Sequence, residues 1–254
     1  MKSLKSLIIT TSNNKLSNTA NKTVVWLESL AAAYFILKDG GEYIKMVSPQ
    51  GGQIPLDPNS DSTVAATEST VRFQQDSQAM YHFSHSLPLT EVKAEDFDLV
   101  FVAGGYGAMW DFVNNKRLKQ ILEDFNRQNK PIGLVGHGVV ALISLTMNNG
   151  EPFVKGRKLT AFSNSEEELA GLNEKPPYLL ESRLKSLGAL YSKGPAFTSY
   201  VVADDNIITG QNPASSGETA RQLLSLAHKK TKLRKLKVNE NSIQRSILDD
   251  KKIY

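Results

Sequence analysis

The sequence predicts an α/β fold in which a mostly parallel sheet carries helices on both faces. Three observations predict it. Short, continuous apolar runs such as Leu7-Ile8-Ile9, Asp98 to Ala103 and Pro131 to Val135 have the length and bounds of fully buried strands. These runs alternate with stretches of helical periodicity. Two of them end in glycine-bearing turns, Gly104-Gly105 and Gly136-His137-Gly138, as strands that lead into a ligand crevice do.

In chain order, Lys5 to Thr11 is a first buried strand closed by Ser12-Asn13-Asn14. Val24, Leu27, Ala31, Tyr34 and Leu37 recur at helical spacing, and Asp39-Gly40-Gly41 stops that helix. Tyr43 to Val47 is a second strand. Gln50 to Asp61, with Gly51, Gly52, Pro55 and Pro58, is a loop. Ser69 to Met80 is expected as one helix outside the sheet. Asp98 to Ala103 is a strand, Lys116 to Gln128 an amphipathic helix, and Pro131 to Val135 a buried strand running through the Gly136 turn into a helix ending near Leu145. Lys158 to Phe162 is a strand, and Ser163-Asn164-Ser165 opens a helix carrying Glu166, Glu167 and Glu168. Pro177 to Leu187 is a helix, Tyr200 to Ala203 and Ile207 to Thr209 a hairpin, and Pro213 to His228 the last core helix, with its proline in the first turn. There is no internal repeat. One domain is expected over residues 1–228, followed by a basic tail, 229–254, that is either disordered or a short docking helix.

Composition narrows the class. With 254 residues, 40% hydrophobic and 22% charged, the balance is that of a soluble globular protein. No apolar run nears the roughly 18 residues of a membrane span. The opening stretch has too short an apolar run for a signal peptide, so a cytoplasmic protein is expected. The net charge of +4 comes largely from Lys229, Lys230, Lys232, Arg234, Lys235 and Lys237. Such a block reads as a solvated tail, so no nucleic-acid or membrane partner is expected. The chain has no cysteine, which excludes disulfides, thiolate metal sites and thiol chemistry. His82 and His85 lack a nearby third ligand, so no metal site is expected. Trp26 and Trp110 are expected in the core.

The sharpest local signal is the buried strand, three-residue turn and helix around Gly136-His137-Gly138. This is the layout of a nucleophile elbow, in which the central residue projects into a pocket at a helix N-terminus. Here that residue is Gly136, which adopts the required backbone without a side-chain penalty but offers no nucleophile. Read locally, the turn is equally a plain strand-to-helix connection.

Seven stretches in order lift this beyond a local pattern: TVVWLESLAAAYFILKDGG (23–41), SPQGGQIPLDPNS (48–60), FVAGGYGAMWDF (101–112), PIGLVGHGVVALI (131–143), KGRKLTAFSNSEEE (155–168), PPYLLESRLKSLGA (176–189) and TGQNPASSGETARQLL (209–224). Together they resemble the ThiJ/PfpI superfamily of the class I glutamine amidotransferase-like fold, closest to its glyoxalase III and chaperone-like branch. The resemblance implies a flavodoxin-like three-layer sandwich with six or seven strands. It places the family's reactive cysteine at Gly136, with Glu28 contacting the thiol and His137 following it. Glu166 is then the carboxylate that orients His137, with Glu167 as its close competitor and at most one of the three glutamates pointing inward. Gly104, Gly105, Tyr106 and Gly138 would line the ligand site, and the N–H groups of Gly105 and His137 would form an anion hole. The sequence departs from the branch at two places, Gly136 for cysteine and Tyr106 for the usual histidine. A buried Glu28 should have a raised pKa through desolvation.

The reaction that the resemblance implies is thiolate attack on the aldehyde of methylglyoxal, ending in lactate. It requires a nucleophile that glycine lacks. The reading that follows is a pseudoenzyme binding a small carbonyl or carboxylate ligand or a partner, with no cofactor, and a homodimer by family analogy. Two alternatives stand beside it. One is a glyoxalase III-like, hydrolase- or lyase-type enzyme using Glu28, His137 and water. The other is a holdase-type chaperone, which needs exposed apolar surface rather than a thiol.

Overall fold

A computed structural model gives the architecture. It describes residues 3–14, 24–172 and 174–250, with side chains up to residue 234. The central sheet has seven strands: β1 (Lys5–Ile9), β2 (Tyr43–Ser48), β3 (Leu87–Pro88), β4 (Leu99–Val102), β5 (Ile132–Val135), β8 (Val201–Asp204) and β9 (Ile207–Gly210). Their order is β3-β2-β1-β4-β5-β9-β8. Every pair is parallel except β8 with β9, the expected hairpin. The chain leaves β1 for β2 on one side and returns to β4 on the other. That reversal opens a crevice at the carboxyl ends of β1 and β4, where α/β sheets place ligands.

Alternation along the strands sends side chains to two cores, the pattern of a sheet covered on both faces. Leu7, Ile9, Val100, Val102 and Leu134 belong to one cluster. Ile8, Leu99, Phe101, Val135 and Ile208 belong to the other. On the first face packs α5 (Lys116–Arg127), whose buried stripe is Leu118, Ile121, Leu122 and Phe125. Each such side chain contributes roughly 1.5–3 kcal/mol by leaving water. The Asn115 side chain caps α5, accepting from the N–H groups of Arg117 and Leu118. On the second face pack α1 (Leu27–Asp39) and α8 (Ser216–Asp250), with Leu30, Tyr34 and Leu223 in the shared core.

Five expectations change. The first helix starts at Leu27, not Val24, because residues 24–26 run extended: Val25 N–H donates to Pro55 O and Trp26 N–H to Gly104 O, both at 3.2 Å. The stretch 69–80 is two helices, α2 (Glu68–Gln75) and α3 (Ser77–Ser84), broken at Asp76. That residue ends α2 and caps α3 by accepting from Ala79 N–H. Residues 158–162 supply only a two-residue strand, β6 (Lys158–Leu159), in a separate small sheet with β7 (Leu190–Tyr191). The segment after Gly136 is a 3-10 helix, Gly136–Leu142. The last helix does not end at residue 228: α8 continues without a break to Asp250, and the extreme end of the tail lies outside the described residues. Among the described residues no helix is long and apolar enough to cross a membrane.

Candidate functional site

At the carboxyl ends of β4 and β5 lies a cavity of about 130 Å³, room for about four waters at ~30 Å³ each or one small organic molecule. Its aromatic walls are Trp26, Tyr106, His137, Phe162 and Phe197. Gly104, Gly105 and Gly136 supply backbone, and Ser29 and Asp57 supply polar side chains.

Gly136 closes β5 at φ +55°, the left-handed backbone that an elbow requires and that glycine adopts without strain. A Cβ placed there would meet nothing nearer than 4.0 Å. The position that the resemblance assigns to a cysteine is therefore open space beside the cavity. Gly105 has φ +139° and lies against the main chain before α1, where an added Cβ would collide with Val24 O. Gly138 does not line the cavity. It is a packing glycine, where a Cβ would lie 2.8 Å from Val102 O.

His137 lies between two rings, 4.2 Å from Tyr106 and 4.5 Å from Phe162 by centroid. Its Nε2 meets Glu167 Oε1 at 2.8 Å. The other oxygen of Glu167 accepts from the Tyr106 hydroxyl. A carboxylate engaged on both oxygens sets the neutral imidazole as the Nε2–H tautomer, leaving Nδ1 as its basic nitrogen. Burial, with the Glu167 charge beside it, pushes the Tyr106 phenol far above its ordinary range, so it stays a donor. Tyr106 is thus part of the histidine support.

Glu166 was expected in this role, and the structure gives it to Glu167. Glu166 instead uses both oxygens as a brace: Oε1 accepts from Phe197 N–H at 2.8 Å and Asn212 Nδ2 at 2.7 Å. Its Oε2 accepts from Ser163 N–H at 2.9 Å and Ser163 Oγ at 2.7 Å. Both side chains are buried because the first turn of α6 (Asn164–Leu169) packs inward, held by a Ser163–Glu166 capping box. The expectation of a single inward glutamate is corrected accordingly.

Glu28 is also placed elsewhere. It faces a separate groove with Glu68, Arg72 and Arg221. Its carboxylate accepts from Thr67 Oγ1 at 2.5 Å, and burial raises its pKa, only partly opposed by that bond. The residue that α1 presents to the cavity is Ser29, one position on and about 100° further around the helix. Ser29 is 1% exposed, and among the described residues its Oγ has no hydrogen-bond partner. Among the described residues, Asp57 is the one carboxylate that lines the cavity. Its Oδ1 accepts from Asn59 N–H at 2.9 Å, and burial pushes its pKa up. Ser29, Asp57, Phe162 and Phe197 were not singled out from sequence. Trp26, expected in the core, is a wall of the site.

Among the described residues no group of three or more His, Cys, Asp or Glu is placed to hold a metal ion. His85 stacks on Tyr81 at 4.6 Å, and His82 lies edge-on to Tyr34.

An open, mostly parallel sheet in the order β3-β2-β1-β4-β5-β9-β8, with an elbow at the end of β5, is a flavodoxin-like fold. Over residues 30–226 the chain matches the DJ-1/PfpI family, and it belongs to that family. It is 26% identical over 215 residues to the glutathione-independent glyoxalase hsp3101 of Schizosaccharomyces pombe, covering 81% of this chain and 88% of the relative. It is 30% identical over 163 residues to the human glutamine amidotransferase-like class 1 domain-containing protein 1, covering 64% and 74%. The X-ray structure of Rapid Encystment Protein 24 kDa from Francisella tularensis superposes with a TM-score of 0.84 at 36% identity, covering 88% of this chain and 99% of that one.

Proposed function

We propose that this protein is a cysteine-free DJ-1/PfpI member that binds a small carbonyl compound at the Gly136 elbow without thiol catalysis. The observation that carries the reading is the pair of residues at the cavity: Gly136, with open space where a nucleophile would project, and Ser29, where α1 offers no carboxylate. The elbow and its cavity are present, while two reactive side chains that the resemblance implies are not in it. A relative named as a glyoxalase supports carbonyl chemistry for the ligand. The test is incubation with methylglyoxal and enzymatic detection of D-lactate, beside titration followed by tryptophan fluorescence. Binding without lactate formation is expected.

A second reading is a glyoxalase-type enzyme that works through His137 and a bound water. The names of the relatives favour it more than they favour the first reading. His137, held in one tautomer by Glu167, is the group that would move the proton. General acid–base catalysis alone supplies typically about 10²–10⁴-fold. Lactate formation that disappears in His137→Ala would establish this second reading and remove the first.

A further inference from the structure

We propose that Ser29 is the hydroxyl that recognises the ligand of this pocket, and that the pocket selects a neutral carbonyl compound over a carboxylate. The inference rests on the binding function proposed above and names its ligand class.

The polar groups of the cavity are unequally committed. The Tyr106 hydroxyl and His137 Nε2 both donate to Glu167. Ser29 Oγ sits beside Gly104, where a Cβ would lie 3.4 Å from it, and among the described residues it has no partner. A hydroxyl taken out of water without a hydrogen bond is a standing cost. A carbonyl oxygen entering the cavity removes that cost by accepting from it.

Charge decides between the ligand classes. Among the described residues no lysine or arginine lines the cavity, so an entering carboxylate meets no full positive charge from them. It meets instead the Asp57 carboxyl in the lining and the buried Glu167 carboxylate behind Tyr106 and His137. The elbow N–H groups carry only partial charge. A neutral molecule of four or five carbons fits both the volume and the aromatic walls.

The experiment uses two isosteric probes, isobutyramide and isobutyrate, with the full-length protein at pH 7.5 and ligand-observed NMR for Kd. Isobutyramide is expected to bind at least tenfold tighter than isobutyrate, and Ser29→Ala is expected to weaken isobutyramide about tenfold. The variant removes an unpartnered hydroxyl, so its Tm should not fall, which separates lost recognition from lost folding. Isobutyrate binding as tightly as the amide, or an unchanged Kd in Ser29→Ala, overturns this inference and leaves the pocket function standing. Binding of neither probe overturns both.

Discussion

The Glu167 carboxylate and the His137 imidazole meet at 2.8 Å, with the glutamate fully buried and the histidine 4% exposed. Glu167 also receives the Tyr106 hydroxyl, so one carboxylate fixes two of the cavity's walls.

Glu167→Gln replaces an acceptor oxygen with a donor, so Tyr106 or His137 loses its partner. Leaving a buried polar group unpaired costs about 1–3 kcal/mol, and a Tm lower by several degrees is expected in calorimetry. The 15N shifts of the His137 ring should move as the tautomer is released. In Glu166→Gln the Tm should fall as well, because Ser163, Phe197 and Asn212 converge there, while the His137 shifts stay put. Equal ring shifts in both variants would contradict the division of labour.

Ser29→Ala is expected to raise Tm by about 1–3 °C. The exchange removes an unpaired buried hydroxyl and improves helix propensity, together about 0.5–1 kcal/mol. A lowered Tm would mean that Ser29 supports the fold rather than the ligand.

Gly136→Cys should fold, since its Cβ has room, with a loss of about 1–2 kcal/mol for a non-glycine residue in the left-handed region. The single variant should still make no D-lactate from methylglyoxal, because the facing wall of α1 is Ser29. Turnover is expected to need Gly136→Cys together with Ser29→Glu. Activity in the single variant would show that a carboxylate on α1 is dispensable.

Asp111, in α4 (Ala108–Asp111), accepts from Thr11 Oγ1 at 2.8 Å and from the N–H groups of Ser12 and Asn13. Burial raises its pKa to about 6, only partly opposed by these bonds. The folded state therefore holds this proton more tightly than the unfolded chain. The contribution of Asp111 is fully present below the unfolded value and is lost as pH rises through about 6. Asp111→Asn should flatten the change in Tm between about pH 4 and 6 relative to wild type. An unchanged slope would assign that dependence to other carboxylates.

Removing residues 229–254 should lower Tm by less than about 3 °C. Past His228, the hydrogen bonds of α8 to the body among the described residues are Lys230 Nζ to Asn129 O at 3.1 Å and to Asn129 Oδ1, and Arg234 to Gln128 O at 2.9 Å. Exposed contacts of this kind are worth about 0–1 kcal/mol. A large drop would show that more of the tail is docked.

Strands β1, β2, β4 and β5 and the elbow were legible in sequence because buried parallel strands are continuous apolar runs and Gly136 punctuates one of them, while the two-residue strands β3, β6 and β7 are too short to show such a run. The choice between Glu28 and Ser29 was not. From Leu27 to Leu37, α1 is buried almost all round, so no single stripe marks the cavity side. Neighbouring positions differ by about 100° around the axis, and an error of one residue sends a different side chain inward. Glu166 and Glu167 posed the same problem on α6, sharpened by both being buried. The end of α8 was hidden for the opposite reason: a polar, helix-favouring run has no apolar period to announce where it stops.

The walls of the cavity meet through main chain: Trp26 N–H on Gly104 O and Gly105 against Val24 O. These contacts involve no side chain of the site. Substitution at 29 or 136 can therefore change the reactive groups of the cleft while its backbone frame stays, so a lineage can alter the chemistry and still inherit the mould.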